Sequence, residues 1–169
     1  MNIRSRRSIA IVAAGLVALA IGVAGCGSSG GGYGGSSSSA STSAPPAGSG
    51  PSVKLASTGL GKVLVDSQGR TLYLFEADKG PMSKCDGSCA TIWPPLKATG
   101  KPTAGAGLAA AKLGTSKRSD GTSEVTYNGH PLYTYAGDTA AGQTSGQGLD
   151  DYGAEWYALS ARGDKIDNG

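Results

Sequence analysis

Two short segments carry most of the chemistry this sequence offers. Residues 72–78 read L-Y-L-F-E-A-D, and residues 132–138, sixty positions later, read L-Y-T-Y-A-G-D. Tyr73, Phe75 and Asp78 therefore recur as Tyr133, Tyr135 and Asp138. On a strand, residues two apart share a face, so each aromatic pair presents two rings together. The plainer assignment is sheet core; the sharper one is a stacking face for a flat ligand such as a quinone, haem or sugar ring. Each aspartate suits the end of its strand, where a carboxylate accepts backbone N–H groups of the following turn. Two symmetric acids could also hold a cation or do acid–base work, although the dense oxygen-ligand spacing of a calcium loop is missing. Trp93 and Trp156 follow the two motifs at comparable distances, each with Leu three residues on, and complete the candidate binding set.

The elements that must position these residues begin after a leader. Arg4, Arg6 and Arg7 precede an apolar run, 9–21, and then small residues before Cys26, the three zones of an export signal. The run falls short of the roughly 20 apolar residues that span a bilayer. Val23-Ala24-Gly25-Cys26 looks like a lipobox, which makes residues 1–25 a lipoprotein signal peptide and Cys26 the lipidated N-terminus. Ser5-Arg6-Arg7-Ser8-Ile9 also resembles a twin-arginine signal, so the export route stays open. Residues 27–51 are almost wholly Gly, Ser, Ala, Thr and Pro, a composition that cannot bury a core and reads as a disordered tether.

With Cys26 consumed by lipid, Cys85 and Cys89 remain as a pair in an oxidising compartment, where a disulfide is expected and a redox-active pair is the alternative. Three residues separate them and Ala90 follows, unlike the C-x-x-C-H of haem attachment, and a single histidine, His130, leaves zinc poorly served. His130 falls opposite Arg70 in the repeat and reads as a turn residue rather than a catalytic base. No G-x-S-x-G, H-E-x-x-H or phosphate-binding glycine loop is present, so no catalytic residue, metal or cofactor is expected. Losing the three signal arginines takes the 15 basic residues to 12, against 12 acidic ones. A formally neutral chain without a basic stripe has no electrostatic footprint for nucleic acid.

The folded part, 52–169, is the size of one domain. Aligned at the sixty-residue offset, Val65 falls on Val125, Gly69 on Gly129 and Leu72 on Leu132. The first half offers β-prone runs at 53–57, 62–65 and 71–75; the second offers 113–117, 122–127 and 131–135, with Asp120-Gly121 and Asn128-Gly129 as hairpin signals. A fourth strand per half is placed at 92–96 and 155–159, the first of them irregular or at an edge because Pro94 and Pro95 cannot donate to a ladder. Residues 104–113 suggest a short connecting helix, weakened by Gly105 and Gly107. The expectation is an all-β, mainly antiparallel domain of about eight strands in two pseudo-symmetric repeats, near 52–100 and 112–165.

The doubled Y-x-[FYW]-x-x-D pattern, the Cys loop running into W-P-P at 85–96, and G-A-E-W-Y-A-L-S at 153–160 together resemble the bacterial lipoproteins of the secreted repeat of unknown function family. That resemblance implies a location more than an activity. With no evident reactive group in the sequence, the expectation is a protein on the outer face of the cytoplasmic membrane, held by its N-terminal lipid, that binds an unidentified small ligand or envelope protein. A redox accessory protein, using the Cys pair or a cofactor stacked on the aromatics, is the alternative.

Overall fold

The computed structural model describes residues 49–167, so Cys26, the signal 1–25 and most of the tether lie outside the described residues. The elements run β1 (Ser49–Thr58), β2 (Gly61–Val65), β3 (Tyr73–Phe75), a one-turn helix α1 (Ser88–Ile92), β4 (Lys101–Ala104), β5 (Leu113–Lys117), β6 (Ser123–Tyr127), β7 (His130–Pro131), β8 (Leu149–Asp151) and β9 (Ala154–Ala158). They form three small sheets, ordered β2-β1-β4, β3-β9-β8 and β5-β6-β7, antiparallel throughout except for the β1–β4 pair. Turn chemistry sets the hairpins where it was legible. Asn128 and Gly129 both take positive φ between β6 and β7, and Tyr152 and Gly153 do the same between β8 and β9, which is the geometry that matches strand twist in a two-residue turn.

The two halves are woven together by exchanging strands. β3 pairs with β9, Tyr73 opposite Ala158 and Phe75 opposite Trp156. In the other half Tyr133 bridges Pro95, which stands two residues after Trp93 as Ala158 stands two after Trp156. The backbone bonds come in matching pairs: Glu76 N–H to Glu155 O at 3.0 Å and Ala136 N–H to Ile92 O at 2.8 Å, then Leu64 N–H to Leu159 O at 2.9 Å and Val125 N–H to Leu96 O at 2.8 Å. Each motif segment thus lies against the tryptophan segment of the other repeat. At the centre the two motifs meet each other, Tyr73 N–H donating to Tyr133 O at 2.8 Å and Tyr133 N–H to Tyr73 O at 3.0 Å.

Several elements differ from expectation for identifiable reasons. The partner of Val125 across the repeat is Leu64 rather than Val65, because Leu72 N–H bonds Leu64 O while Leu132 N–H bonds Val125 O. One residue more in the β5–β6 turn and one fewer in the next restore the sixty-residue offset by Leu132. The tryptophan segment of the first half is not a strand: α1 runs into Trp93, and Pro94 and Pro95 leave only isolated bridges. Tyr133 and Tyr135 lie beyond β7, and Tyr133 is held by isolated bridges to Tyr73 and Pro95 instead of a continuous strand. The connecting helix shrinks to a single 3-10 turn, Ala110–Lys112, since Gly105 N–H is claimed by Val53 O and Gly107 takes φ +83. β1 starts at Ser49, inside the stretch read as tether, because Ser49 pairs with Lys101.

Alternation divides the interior into two clusters. Tyr73 and Phe75 face one, with Val63, Val65, Trp93, Tyr133 and Trp156. Leu72 and Leu74 face the other, with Leu64, Val125, Tyr127, Leu132 and Leu159. The Cys85–Cys89 disulfide, Cα atoms 5.2 Å apart, belongs to the first cluster, and both cysteines are buried. Replacing both cysteines with serine is expected to lower stability to urea by about 2 kcal/mol, the chain-entropy value for so short a loop, without abolishing the cooperative transition.

Candidate functional site

The motif aromatics assemble into one ring stack on the pseudo-twofold axis. Trp93 and Trp156 lie face to face at its centre, centroids 3.9 Å apart and planes 4° from parallel. Phe75 stacks on the outer face of Trp156 at 4.1 Å, and Tyr135 lies tilted on the outer face of Trp93 at 4.5 Å. Tyr73 meets Trp93 edge-on at 5.4 Å, and Tyr133 meets Trp156 edge-on at 5.2 Å. All of these but Tyr135 are buried, so the rings occupy one another's faces. Offset-stacked and edge-to-face pairs contribute about 0.5–1.5 kcal/mol each beyond their burial. Symmetry is broken in the indole N–H groups: Trp156 Nε1 donates to Asp151 O at 3.0 Å, whereas Trp93 Nε1 is buried without a partner.

The two aspartates explain the other fixed letter of the motif. Asp78 Oδ1 accepts Lys84 N–H at 2.7 Å and Asp138 Oδ1 accepts Ser145 N–H at 2.8 Å, so each closes the loop after its own motif. The second oxygen reaches across the axis. Tyr73 Oη donates to Asp138 Oδ2 at 2.6 Å and Tyr133 Oη donates to Asp78 Oδ2 at 2.7 Å. Burial and the neighbouring carboxylate hold both phenols well above their ordinary range, which keeps the proton on tyrosine. Burial likewise raises Asp78, against the opposing hydrogen bond from Tyr133. Each such pair ties the two repeats together, the phenol of one to the carboxylate of the other.

A second buried polar cluster had not been singled out in the sequence. Arg118 Nη1 donates to Glu124 Oε2 at 2.7 Å and to Ser83 Oγ at 2.8 Å, and Nη2 bonds Cys85 O. Ser83 Oγ also lies 2.7 Å from Tyr133 Oη, so the ion pair adjoins the Tyr133–Asp78 pair and the Cys loop. Glu124 is fully buried and raised by that burial, with Arg118 opposing the shift. The available signal was the repeat itself: in the observed register Glu124 stands where the first half has Val63, a core residue. A carboxylate at a core position requires a buried cation, since an unpaired buried charge is costly.

Two open clefts among the described residues bear on function. One, of about 400 Å³, lies beside Asp78, with Glu76, His130, Asp164 and Lys165 among its walls. His130 is thus brought near the first motif, as the sequence did not indicate, but Glu76 is committed to Lys165 at 2.8 Å. The other, about 700 Å³, lies between β4 and β5. Among the described residues no group of three or more His, Cys, Asp or Glu is placed to hold a metal ion, and no helix is long and apolar enough to cross a membrane.

A family model described as a secreted repeat of unknown function matches residues 54–97 and again residues 114–160, more than half of the chain. No curated protein and no solved structure matches it.

Removing the Tyr73 hydroxyl leaves a buried Asp138 oxygen without its donor, so Tyr73→Phe is expected to cost about 1–3 kcal/mol in urea unfolding. The acids supply a pH test. Asp78 has a folded pKa above its unfolded one, so the folded state binds more protons between the two values, and the cost of ionising it appears as pH rises through the folded value. Relative to Asp78→Asn, the wild-type chain should therefore gain stability as pH falls from about 7 toward the ordinary carboxylate range near 4. A difference that moves the opposite way would mean that Asp78 is stabilised as the anion.

Proposed function

The chain belongs to the family of secreted repeats of unknown function, and on that premise we propose that it is a lipid-anchored, outward-facing module that engages an envelope partner through its surface and carries out no chemistry of its own. The observation that carries this reading is the commitment of the motif side chains to one another. Tyr73, Tyr133, Trp93 and Trp156 are fully buried, and Asp78 and Asp138 have each taken a tyrosine hydroxyl and a backbone N–H. A flat cofactor would have to displace a ring from the stack to enter it. The redox alternative receives less support, because both sulfurs sit in the core and a reducible pair needs access for an attacking thiolate.

The anchor rests on the lipobox ending at Cys26 and the tether that follows. A lipidated cysteine followed by a Gly-, Ser- and Pro-rich segment supports a domain held at the membrane by its N-terminal lipid. In cells expressing the full chain, Cys26→Ser is expected to abolish incorporation of labelled palmitate and to release the domain from the membrane fraction. Unchanged labelling and retention would remove the anchor from the account. Purified wild-type protein is expected to be colourless; a visible absorbance band would favour the cofactor reading instead.

A further inference from the structure

A cleft of about 700 Å³ lies between two sheet edges, and its geometry points to a specific kind of partner. β4 and β5 are the outer strands of different sheets, and the groove of about 700 Å³ between them is walled by Ala98, Pro102, Ala110 and Leu113. The direction of the β5 backbone follows from its neighbour. On β6, Val125 donates its N–H to Leu96 O and accepts from Leu132 N–H, while Ser123 O accepts from Ala98 N–H; all three bonds lie on the side away from β5. Because backbone groups alternate along an antiparallel strand, Glu124 and Thr126 face β5, where their partners are Ser116 and Gly114. The intervening residues, Thr115 and Lys117, therefore turn their N–H and C=O groups outward. Thr115, which also lines the groove, is exposed.

We propose that β5 is a docking edge for an extended, acidic polypeptide segment of a partner protein, which adds as a fourth strand to the β5-β6-β7 sheet and places apolar side chains in the groove. Strand addition draws its affinity from the outward backbone groups and its specificity from pockets for alternate side chains. Thr115 and Lys117 supply the first and the groove supplies the second. Charge chooses the sign of the partner. Lys101 lines the groove, Lys97 and Lys117 each stand within two residues of a lining residue, all three are exposed, and no lining residue is acidic. The one carboxylate on β6, Glu124, is buried and held by Arg118. Long exposed edges are hazards that proteins usually blunt; β5 is short and opens onto a basic groove, which favours acidic strands over indiscriminate pairing. The proposal rests on the partner-binding reading above and assigns that reading a site.

The test uses the chain without its signal and with Cys26→Ser, and a displayed library of random twelve-residue peptides as the probe. Peptides enriched on the protein should alternate acidic and apolar residues. Their binding should protect the Thr115 and Lys117 amides from hydrogen exchange, a readout in the unaltered domain that needs no variant to fold. Lys101→Glu with Lys117→Glu should weaken binding about tenfold, mainly through the on-rate, with affinity falling as salt rises. Thr115→Pro removes an outward N–H without touching a β6 bond and should abolish it. Enriched peptides that are neutral or basic, or that protect another surface, overturn the β5 assignment while leaving a partner-binding module. Failure to enrich any peptide, with anionic phosphatidylglycerol vesicles bound at these lysines instead, overturns the peptide proposal and points to lipid headgroups.

Discussion

The structure depends on a reciprocal exchange between two copies of one motif. Tyr73 of the first repeat gives its hydroxyl hydrogen to Asp138 of the second, and Tyr133 of the second gives its own to Asp78 of the first. Each aspartate has one oxygen satisfied inside its own repeat, and the other meets a tyrosine only across the axis. Because a buried polar group left without a partner costs about 1–3 kcal/mol, each repeat by itself would leave the second oxygen of its aspartate without the tyrosine donor that meets it across the axis. The backbone has the same logic, since each motif segment takes its neighbour from the tryptophan segment of the other repeat. The Trp93–Trp156 stack then fills the space where the halves close.

This arrangement gives the motif a meaning without an activity. Tyrosine is needed because its ring packs edge-on against tryptophan while its hydroxyl reaches an acid; phenylalanine would keep the first contact and lose the second. Aspartate is needed because one oxygen must close the local loop and the other must cross the axis. The two halves then differ where symmetry no longer binds them. One carries the disulfide loop tied down by Arg118, the other a β8–β9 hairpin. A core locked in this way leaves edges and grooves as the surfaces on which such modules can diverge, the groove beside β5 among them.

Much of this was legible beforehand. The sixty-residue offset disclosed the duplication, Asn128-Gly129 disclosed a hairpin, and the alternation in 72–75 disclosed a strand buried on both faces. The exchange of partners was not legible, because a repeat pattern states that two segments are alike and says nothing of which segment each lies against. Single-residue shifts in two turns cancel before Leu132, so an ungapped alignment put Val65 on Val125 and hid the register in which Glu124 replaces Val63. The helix of 104–113 failed at its glycines: Gly105 was already committed to the β1 ladder, a tertiary bond that local propensity does not register. The Arg118 cluster is also tertiary, joining residues from the Cys loop and the β5–β6 hairpin that share no spacing.

The most direct test of reciprocity is to divide the chain at its own turn. Residues 49–106 and 107–167, produced separately, keep every strand intact and separate each tyrosine from its aspartate partner. Neither fragment alone should show a cooperative thermal transition or the near-ultraviolet circular dichroism of stacked indoles. Mixed at equal concentration they should recover both, with a midpoint that depends on concentration as a two-chain assembly requires. A fragment that melts cooperatively by itself would show that a single repeat is a self-sufficient fold, and the exchange of Tyr73, Asp78, Tyr133 and Asp138 could not then be what holds the protein together.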